Sequence, residues 1–368
     1  MHRSCAVPAL AVSISLGLLT GTCAWAQPQH VNFYNWSDYI DPTVLKDFTR
    51  ETGIEVTYDT FDSNDLLETK LLAGKSGYDV VVPTAYFLQR QIQAGVFQKL
   101  DKSKLPNSVN AWPEITLRLA HYDPGNDYGV NYMWGTTGIG YNVKAMHERL
   151  GANATIDSWD VVFKPELLAK FKGCGIHMLD SADDILPAAL HYLKLDPNST
   201  KPDDLDRAVA LMAKIRPDVR KFHSSEYLNA LASGEICLVV GWSGDIKQSQ
   251  KRAAEAKNGV DIGYSIPKEG AQMFFDNLAV PKDAPHPAEA LAFINYLQRP
   301  DVAAKNSNLV SYANGNLASQ KFIDKKVLED PGIYPSADTM ARLYTVSARS
   351  PEAQRLINRV WTRVKTGR

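Results

Sequence analysis

The opening of the chain alternates strand and helix signals, and that alternation constrains the fold more than any other feature. Val31–Trp36 reads as a strand. Asp41–Thr52 reads as a helix, with Asp41 as cap, Pro42 in the first turn and Gly53 as its stop. Ile54–Phe61 alternates as a second strand. Asp65–Ala73 carries Leu67 and Leu71 at i, i+4, and Gly74 ends it. Tyr78–Val82, bounded by Gly77 and Pro83, has the short apolar run of a buried parallel strand. A β-α-β-α-β order predicts an α/β fold with a mainly parallel sheet covered by helices. In such sheets ligands bind beyond the strand ends. The stretch Asn35-Trp36-Ser37-Asp38-Tyr39 falls there and offers an indole, a hydroxyl, a carboxylate and a phenol. Trp242-Ser243-Gly244-Asp245 repeats the first three types far along the chain.

Residues ahead of this unit read as an export signal. Arg3 supplies a positive start, Ala6 to Leu19 an apolar core, and Ala24-Trp25-Ala26 a cleavage site of the A-x-A kind. Cleavage after Ala26 would leave Gln27 at the front. Cys23 follows Thr22, which is larger than the small residue that lipidation sites carry, so a lipid anchor is not expected. No later run approaches the roughly 18 apolar residues of a membrane span. The chain of 368 residues can hold two lobes with separate cores. Its net charge is −1, without a basic run, which argues against a nucleic-acid partner. Only Cys174 and Cys237 survive processing. In an exported protein an isolated pair reads as a disulfide, worth on the order of 4 kcal/mol through loop entropy. The alternative is two buried thiols.

Beyond the first unit, Tyr128–Tyr141 is extended and rich in glycine (Gly135, Gly138, Gly140) and reads as a crossover between lobes. A second α/β unit follows: a helix near Ser158–Phe171, a strand Gly175–Leu179 and a helix near Asp183–Leu193. Leu205, Val209, Met212 and Ile215 line one helix face; then come the strand Ile236–Trp242 and a helix near Asp245. Val260–Ile266 and Phe274–Val280 read as strands split by a turn at Lys268-Glu269-Gly270. Ala290, Phe293, Ile294 and Leu297 give a further helix its apolar stripe.

Motifs of catalysis are weak. Gly74-Lys75-Ser76 mimics the end of a phosphate loop, but position 69 is Thr and the segment follows a helix. His147-Glu148 lacks the second histidine of a zinc helix, position 151 being Gly. The histidines show no ligand spacing, so neither cofactor nor metal is expected. Asp183-Asp184 could serve acid–base chemistry in a secreted hydrolase, yet a helix start attracts carboxylates anyway. What remains is a set of aromatic–carboxylate pairs at strand ends: Trp36/Asp38, Trp242/Asp245 and Phe274/Asp276, with Asp184 and Tyr312 as additions. Aromatic faces attract cations, and carboxylates add charge-assisted bonds to an ammonium. Carboxylates at opposite ends of an aromatic slot suit a molecule with an apolar middle and a cation at each end.

The stretches Asn35–Tyr39, Phe61-Asp-Ser-Asn, Tyr78-Asp-Val-Val-Val-Pro, Thr137-Gly-Ile-Gly-Tyr-Asn, Phe222-His-Ser-Ser, Gly241-Trp-Ser-Gly-Asp, Ile266-Pro-Lys-Glu-Gly and Pro331-Gly-Ile-Tyr-Pro carry a specific resemblance. The chain closely resembles the periplasmic polyamine-binding proteins of ABC transporters, the putrescine-binding branch above all, over essentially its whole mature length. The resemblance implies a two-lobed periplasmic binding protein of type II whose chain crosses between lobes more than once. On this reading residues 27–134 and 255–305 form lobe 1, and 135–254 and 306–368 form lobe 2. It implies a monomer in the periplasm, not an enzyme, that delivers a polyamine to an inner-membrane ABC permease. Trp36, Tyr39, Trp242, Phe274 and Tyr312 would box the methylene chain. Asp245 and Asp276 would hold one ammonium, and Ser37, Asp38 and Asp184 the other, partly through water. Thr84, Tyr86 and Ser224 complete the implied ligand set, and the family pairs cysteines where Cys174 and Cys237 stand. Relatives usually carry Ser at the Thr84 position, a small residue at Tyr86 and Glu at Asp184. Phe274 rather than Trp favours putrescine. Versions preferring spermidine, cadaverine or agmatine, or acting as sensors, are the alternatives within the family.

Overall fold

The structure, a computed structural model, describes residues 1–2 and 29–367. The export segment, its cleavage after Ala26, and Cys23 lie outside the described residues. The front of the chain folds as its alternation predicts. Strand β1 (His30–Trp36) pairs in parallel with β2 (Glu55–Phe61) and with β3 (Val80–Val81). Between β1 and β2 lies the helix Pro42–Thr52. The Asp41 carboxylate accepts from its Thr43 N–H at 2.8 Å, and it ends at Gly53 with φ of 74°. That left-handed turn suits a residue without a Cβ. The helix Asn64–Leu72 buries Leu67 and Leu71 against the sheet.

The expected crossover is one long strand, β4 (Gly129–Asn142), and it is the spine of the molecule. Its first half runs antiparallel to β9 (Met273–Ala279). Its second half runs antiparallel to β7 (Leu238–Trp242) and β8 (Ile262–Ser265). Beyond β7 the sheet continues in parallel through β5 (Ile176–Met178) to β6 (Lys221–Phe222), giving the order β2-β1-β3-β9-β4-β7-β5-β6. The short β10 (Ala313–Asn314) adds antiparallel to β4. Each end of the sheet is thus a parallel unit, and antiparallel strands join the two. Strands β8 and β9 do not form a hairpin about Lys268–Gly270. They lie on different halves of β4, so that turn carries the chain from one lobe to the other.

One helix differs from its expectation. Ser158–Phe171 is broken into Asp160–Phe163, Pro165–Leu168 and a 3-10 turn Ala169–Cys174. Pro165 has no N–H to donate and forces Lys164 out of the helical region, to φ −90° and ψ 113°. Cys174 ends that turn and is disulfide-bonded to Cys237, just ahead of β7.

Side-chain packing follows the two sheet ends. One core joins Ile139, Trp159, Phe171, Met212, Tyr227, Val239, Ile262 and Ala271, and the C-terminal helix Pro351–Thr366 adds Ile357, Val360 and Trp361. Another joins Val31, Phe33, Phe48, Val80, Met133, Leu278, Phe293, Val302, Val310 and Tyr312. Among the described residues no helix is long and apolar enough to cross a membrane.

Candidate ligand-binding cleft

The strand ends of both sheet units open onto one cavity, the position where α/β folds take their ligands. Every side chain that the sequence nominated lines it: Trp36, Ser37, Asp38, Tyr39, Thr84, Tyr86, Asp184, Ser224, Trp242, Asp245, Phe274, Asp276 and Tyr312. Strand β1 delivers Trp36 at its last position, and the turn after it, with Asp38 at φ 55°, swings Tyr39 inward. Strand β9 contributes Phe274 and Asp276, two apart and therefore on one face. Trp242 ends β7, and Asp245 lies in the first turn of the next helix, Ser243–Ala256.

The aromatic rings form a continuous wall. Trp36 meets Trp242 edge-to-face at 5.7 Å between centroids, and Trp242 meets Phe274 at 6.4 Å. Phe274 meets Tyr312 at 6.3 Å, and Tyr312 meets Tyr39 at 4.8 Å. Trp36 is fixed by its indole N–H, which donates to the Val82 carbonyl at 2.9 Å. Two glycines make the wall possible. A Cβ on Gly244 would stand 2.1 Å from the Tyr312 ring, and one on Gly135 2.8 Å from Phe274. The Gly in Trp-Ser-Gly-Asp is therefore a packing requirement of the site.

Three buried or half-buried carboxylates face the cavity. Asp276 accepts from the Tyr39 hydroxyl and from the Thr84 hydroxyl, both at 2.7 Å, one on each oxygen. Thr84 is itself held by Asn64, whose amide donates to its hydroxyl at 2.9 Å. Asp245 accepts from Tyr227 at 2.7 Å and from Tyr312 at 2.6 Å, again one on each oxygen. Asp184, in the first turn of the helix Ala182–Tyr192, accepts from the Thr137 hydroxyl at 2.5 Å and the Trp242 indole at 3.2 Å, both on Oδ1. Burial pushes Asp276 up to about 7 and Asp245 up to about 6, against the pull of their hydroxyl partners. The charges of Asp184 and Asp245 push Asp276 further, and burial raises Asp184 as well. A cation entering the cavity would meet carboxylates whose hydrogen bonds fix their direction but leave their charge uncompensated.

Asp38 differs from these. Its carboxylate is exposed at the rim and takes an ion pair from Arg252 at 2.7 Å, while its carbonyl accepts from Gln248. Arg252 and Gln248 belong to the helix Ser243–Ala256, so this pair ties β1's turn to the opposite sheet unit. Tyr86 lies in the helix Ala85–Gln93, its ring against Phe87 at 5.0 Å and its buried phenol raised by desolvation and by Asp183 and Asp184. Asp183 is committed to a buried ion pair with Arg349. It is not the free partner that two-carboxylate acid–base catalysis with Asp184 would need. Among the described residues no cluster suited to a metal ion occurs.

Sequence reasoning missed Tyr227, Asn64, Phe61, Asp62, Ser225, Leu228 and Gln272. Tyr227 carries no motif; it begins a helix that packs beside β7, and its role exists only once Asp245 is placed. Asn64 and Phe61 stood within Phe61-Asp-Ser-Asn, whose specificity was visible but whose direction was not.

Residues 43–335 match the family of bacterial extracellular solute-binding proteins. The chain is 51% identical to the putrescine-binding periplasmic protein PotF of Escherichia coli K12, over 96% of this chain and 95% of that protein. It is 44% identical to a putrescine/agmatine-binding protein of Pseudomonas aeruginosa PAO1, over 100% of each. Among solved structures, a putative spermidine/putrescine ABC transporter protein from Listeria monocytogenes superposes with a TM-score of 0.82 at 30% identity. The match covers 92% of this chain and 100% of that one. The fold is that of a type II periplasmic binding protein. The chain belongs to the bacterial extracellular solute-binding proteins.

Proposed function

We propose that this chain binds a short polyamine, putrescine first, between its two lobes and delivers it to an inner-membrane ABC permease. It acts as a carrier rather than an enzyme, as a monomer in the periplasm after cleavage behind Ala26. The observation that supports this reading most is the cavity itself. An unbroken aromatic wall from Trp36 to Tyr39 lines it, and the carboxylates of Asp184, Asp245 and Asp276 face the same space. Aromatic faces stabilise cations and cover methylenes, and each carboxylate takes an ammonium. No lysine or arginine is among the residues lining the cavity. The names of PotF and the Pseudomonas protein point the same way.

For the lobes we follow packing rather than boundaries at 255 and 306. Ile262 to Ala271 belong with the β5–β7 lobe, and Val302 to Tyr312 with the β1–β3 lobe, because that is where those side chains are buried. A ligand that touches both lobes favours their closed arrangement through contacts absent when they part. Calorimetry with putrescine, cadaverine, agmatine and spermidine, paired with solution scattering, tests the reading. A one-to-one complex, no product and a smaller radius of gyration on adding putrescine are expected. Turnover of the amine, or no binding of any of the four, would overturn it.

A further inference from the structure

The acids of the cleft differ in what holds them from behind. Asp276 takes its hydroxyl donors from Tyr39 and Thr84, and both of these line the cavity. Asp245 takes one from Tyr312, which lines it too, but the other comes from Tyr227, which is not among the lining residues. Tyr227 is fully buried at the start of the helix Tyr227–Ser233. A Cβ on Gly241 would stand 2.8 Å from its ring, so that glycine makes room for it.

The Tyr227 hydroxyl makes two bonds at once. Its oxygen accepts from the backbone N–H of Trp242 at 3.2 Å, and its proton goes to Asp245 Oδ2 at 2.7 Å. A backbone N–H only donates, so it occupies a lone pair of the phenol and leaves the phenol proton to Asp245. A donor in that place favours the ionised carboxylate, which only accepts, over the protonated acid. Tyr312 is set the same way, accepting from the Asp245 N–H at 3.2 Å and donating to Oδ1 at 2.6 Å. Burial pushes Asp245 up to about 6 and the Asp38 charge adds to the rise, while Tyr312, Tyr227 and Arg252 oppose it. Across the cavity Asp276 and Tyr39 feel the Asp245 charge in turn, and the Asp184 charge reaches Tyr227.

We propose that Tyr227 is a positioning residue that sets the charge state of Asp245 from outside the cleft, and with it the acid limit of amine capture. The inference rests on the polyamine reading above and adds to it the residue that fixes the working pH of one anchor. The Tyr227 bond stabilises the ionised carboxylate alike in the empty cleft and in the amine complex. Its loss therefore costs affinity only where the empty Asp245 is protonated.

The test is calorimetry of the full mature protein with putrescine at about pH 5.5 and about pH 8.5, wild type against Tyr227→Phe. Removing one hydrogen bond to a charged group raises the Asp245 midpoint by about one pH unit. Putrescine should bind the variant about eightfold more weakly at the lower pH and within about twofold of wild type at the higher. A loss of equal size at both pH values marks a merely structural role and overturns the proposal, as does no loss at either. Carbon NMR on the amine-free wild type adds an arm that needs neither ligand nor variant. The Asp245 carboxyl carbon and the Tyr227 ring carbon bearing the hydroxyl should shift together, with one midpoint at about 6. A Tyr227 carbon that stays still while Asp245 titrates overturns the proposal. A wild type that binds no amine removes the polyamine reading; in that case, or should Tyr227→Phe fail to fold, the NMR arm decides alone.

Discussion

The carboxylates of the cleft are held by different rules. Asp245 and Asp276 each receive two hydroxyl donors, and the donors Tyr39 and Tyr312 pack on each other, so both carboxylates are locked. Asp184 instead takes the Thr137 hydroxyl and the Trp242 indole on a single oxygen. A locked carboxylate pair is preorganised for one ammonium geometry, because its side chains lose no freedom on binding. An acid whose side-chain partners gather on one oxygen keeps acceptor capacity for more than one head group. On the proposed reading the difference makes Asp245 and Asp276 the anchors of affinity and Asp184 the point of selection.

The largest effects that could break this contrast are charge removals. Asp276→Asn or Asp245→Asn leaves a desolvated cation under-compensated, typically about 2–5 kcal/mol, or roughly thirtyfold to several thousandfold in putrescine affinity. Asp184→Asn should cost only about tenfold, since an amide oxygen can still accept there. Calorimetry on the variants checks both; a larger loss at Asp184 than at Asp276 would reverse the assignment.

Next in size is pH. Asp245 and Asp276 titrate near 6 and 7 in the free cleft, against about 3.9 for an unfolded chain. Their raised values mean that protonation stabilises the empty protein at low pH, and that this contribution is lost as pH rises through 6 and 7. A diamine binds the ionised form, so its affinity should climb through the same window, on the order of ten- to hundredfold between about pH 5.5 and 8. The ligand-induced rise in Tm should grow with it. Affinity flat across that range would show that the carboxylates are already ionised when empty.

A smaller effect sharpens the point of selection. Tyr86 lines the cavity, and the Asp184 charge reaches its buried phenol. An extra aminopropyl arm meeting that ring would bury an unpaired ammonium, so putrescine should bind more tightly than spermidine. Tyr86→Ser should narrow the gap by roughly three- to tenfold. Paired titrations decide: an unchanged gap acquits Tyr86, and a wild type that prefers spermidine removes the specificity claim.

Much of this was legible in the sequence because local chemistry and global fold agree. The capped helix after β1, the glycine stops and the strand-end aromatics each make sense within a few residues, and they placed Trp36, Trp242, Phe274 and their acids correctly in one cavity. Pro165 was equally local and should have broken the expected helix. What was not legible depends on distant partners. Nothing in the sequence says that Asp38 turns to Arg252, or that Asp183 is spent on Arg349, because both pairings are made by chain segments far away. Likewise β8 and β9 read as strands split by a turn, but which strand each pairs with is seen only when the 14-residue β4 serves both lobes.

The most direct test is the crystal structure of the mature protein with putrescine. The account predicts one ammonium within hydrogen-bonding distance of both Asp245 and Asp276, methylenes against Trp242 and Phe274, and the other ammonium facing Asp184. Putrescine held at the exposed rim by Asp38, or lying anywhere outside the aromatic wall, would contradict it.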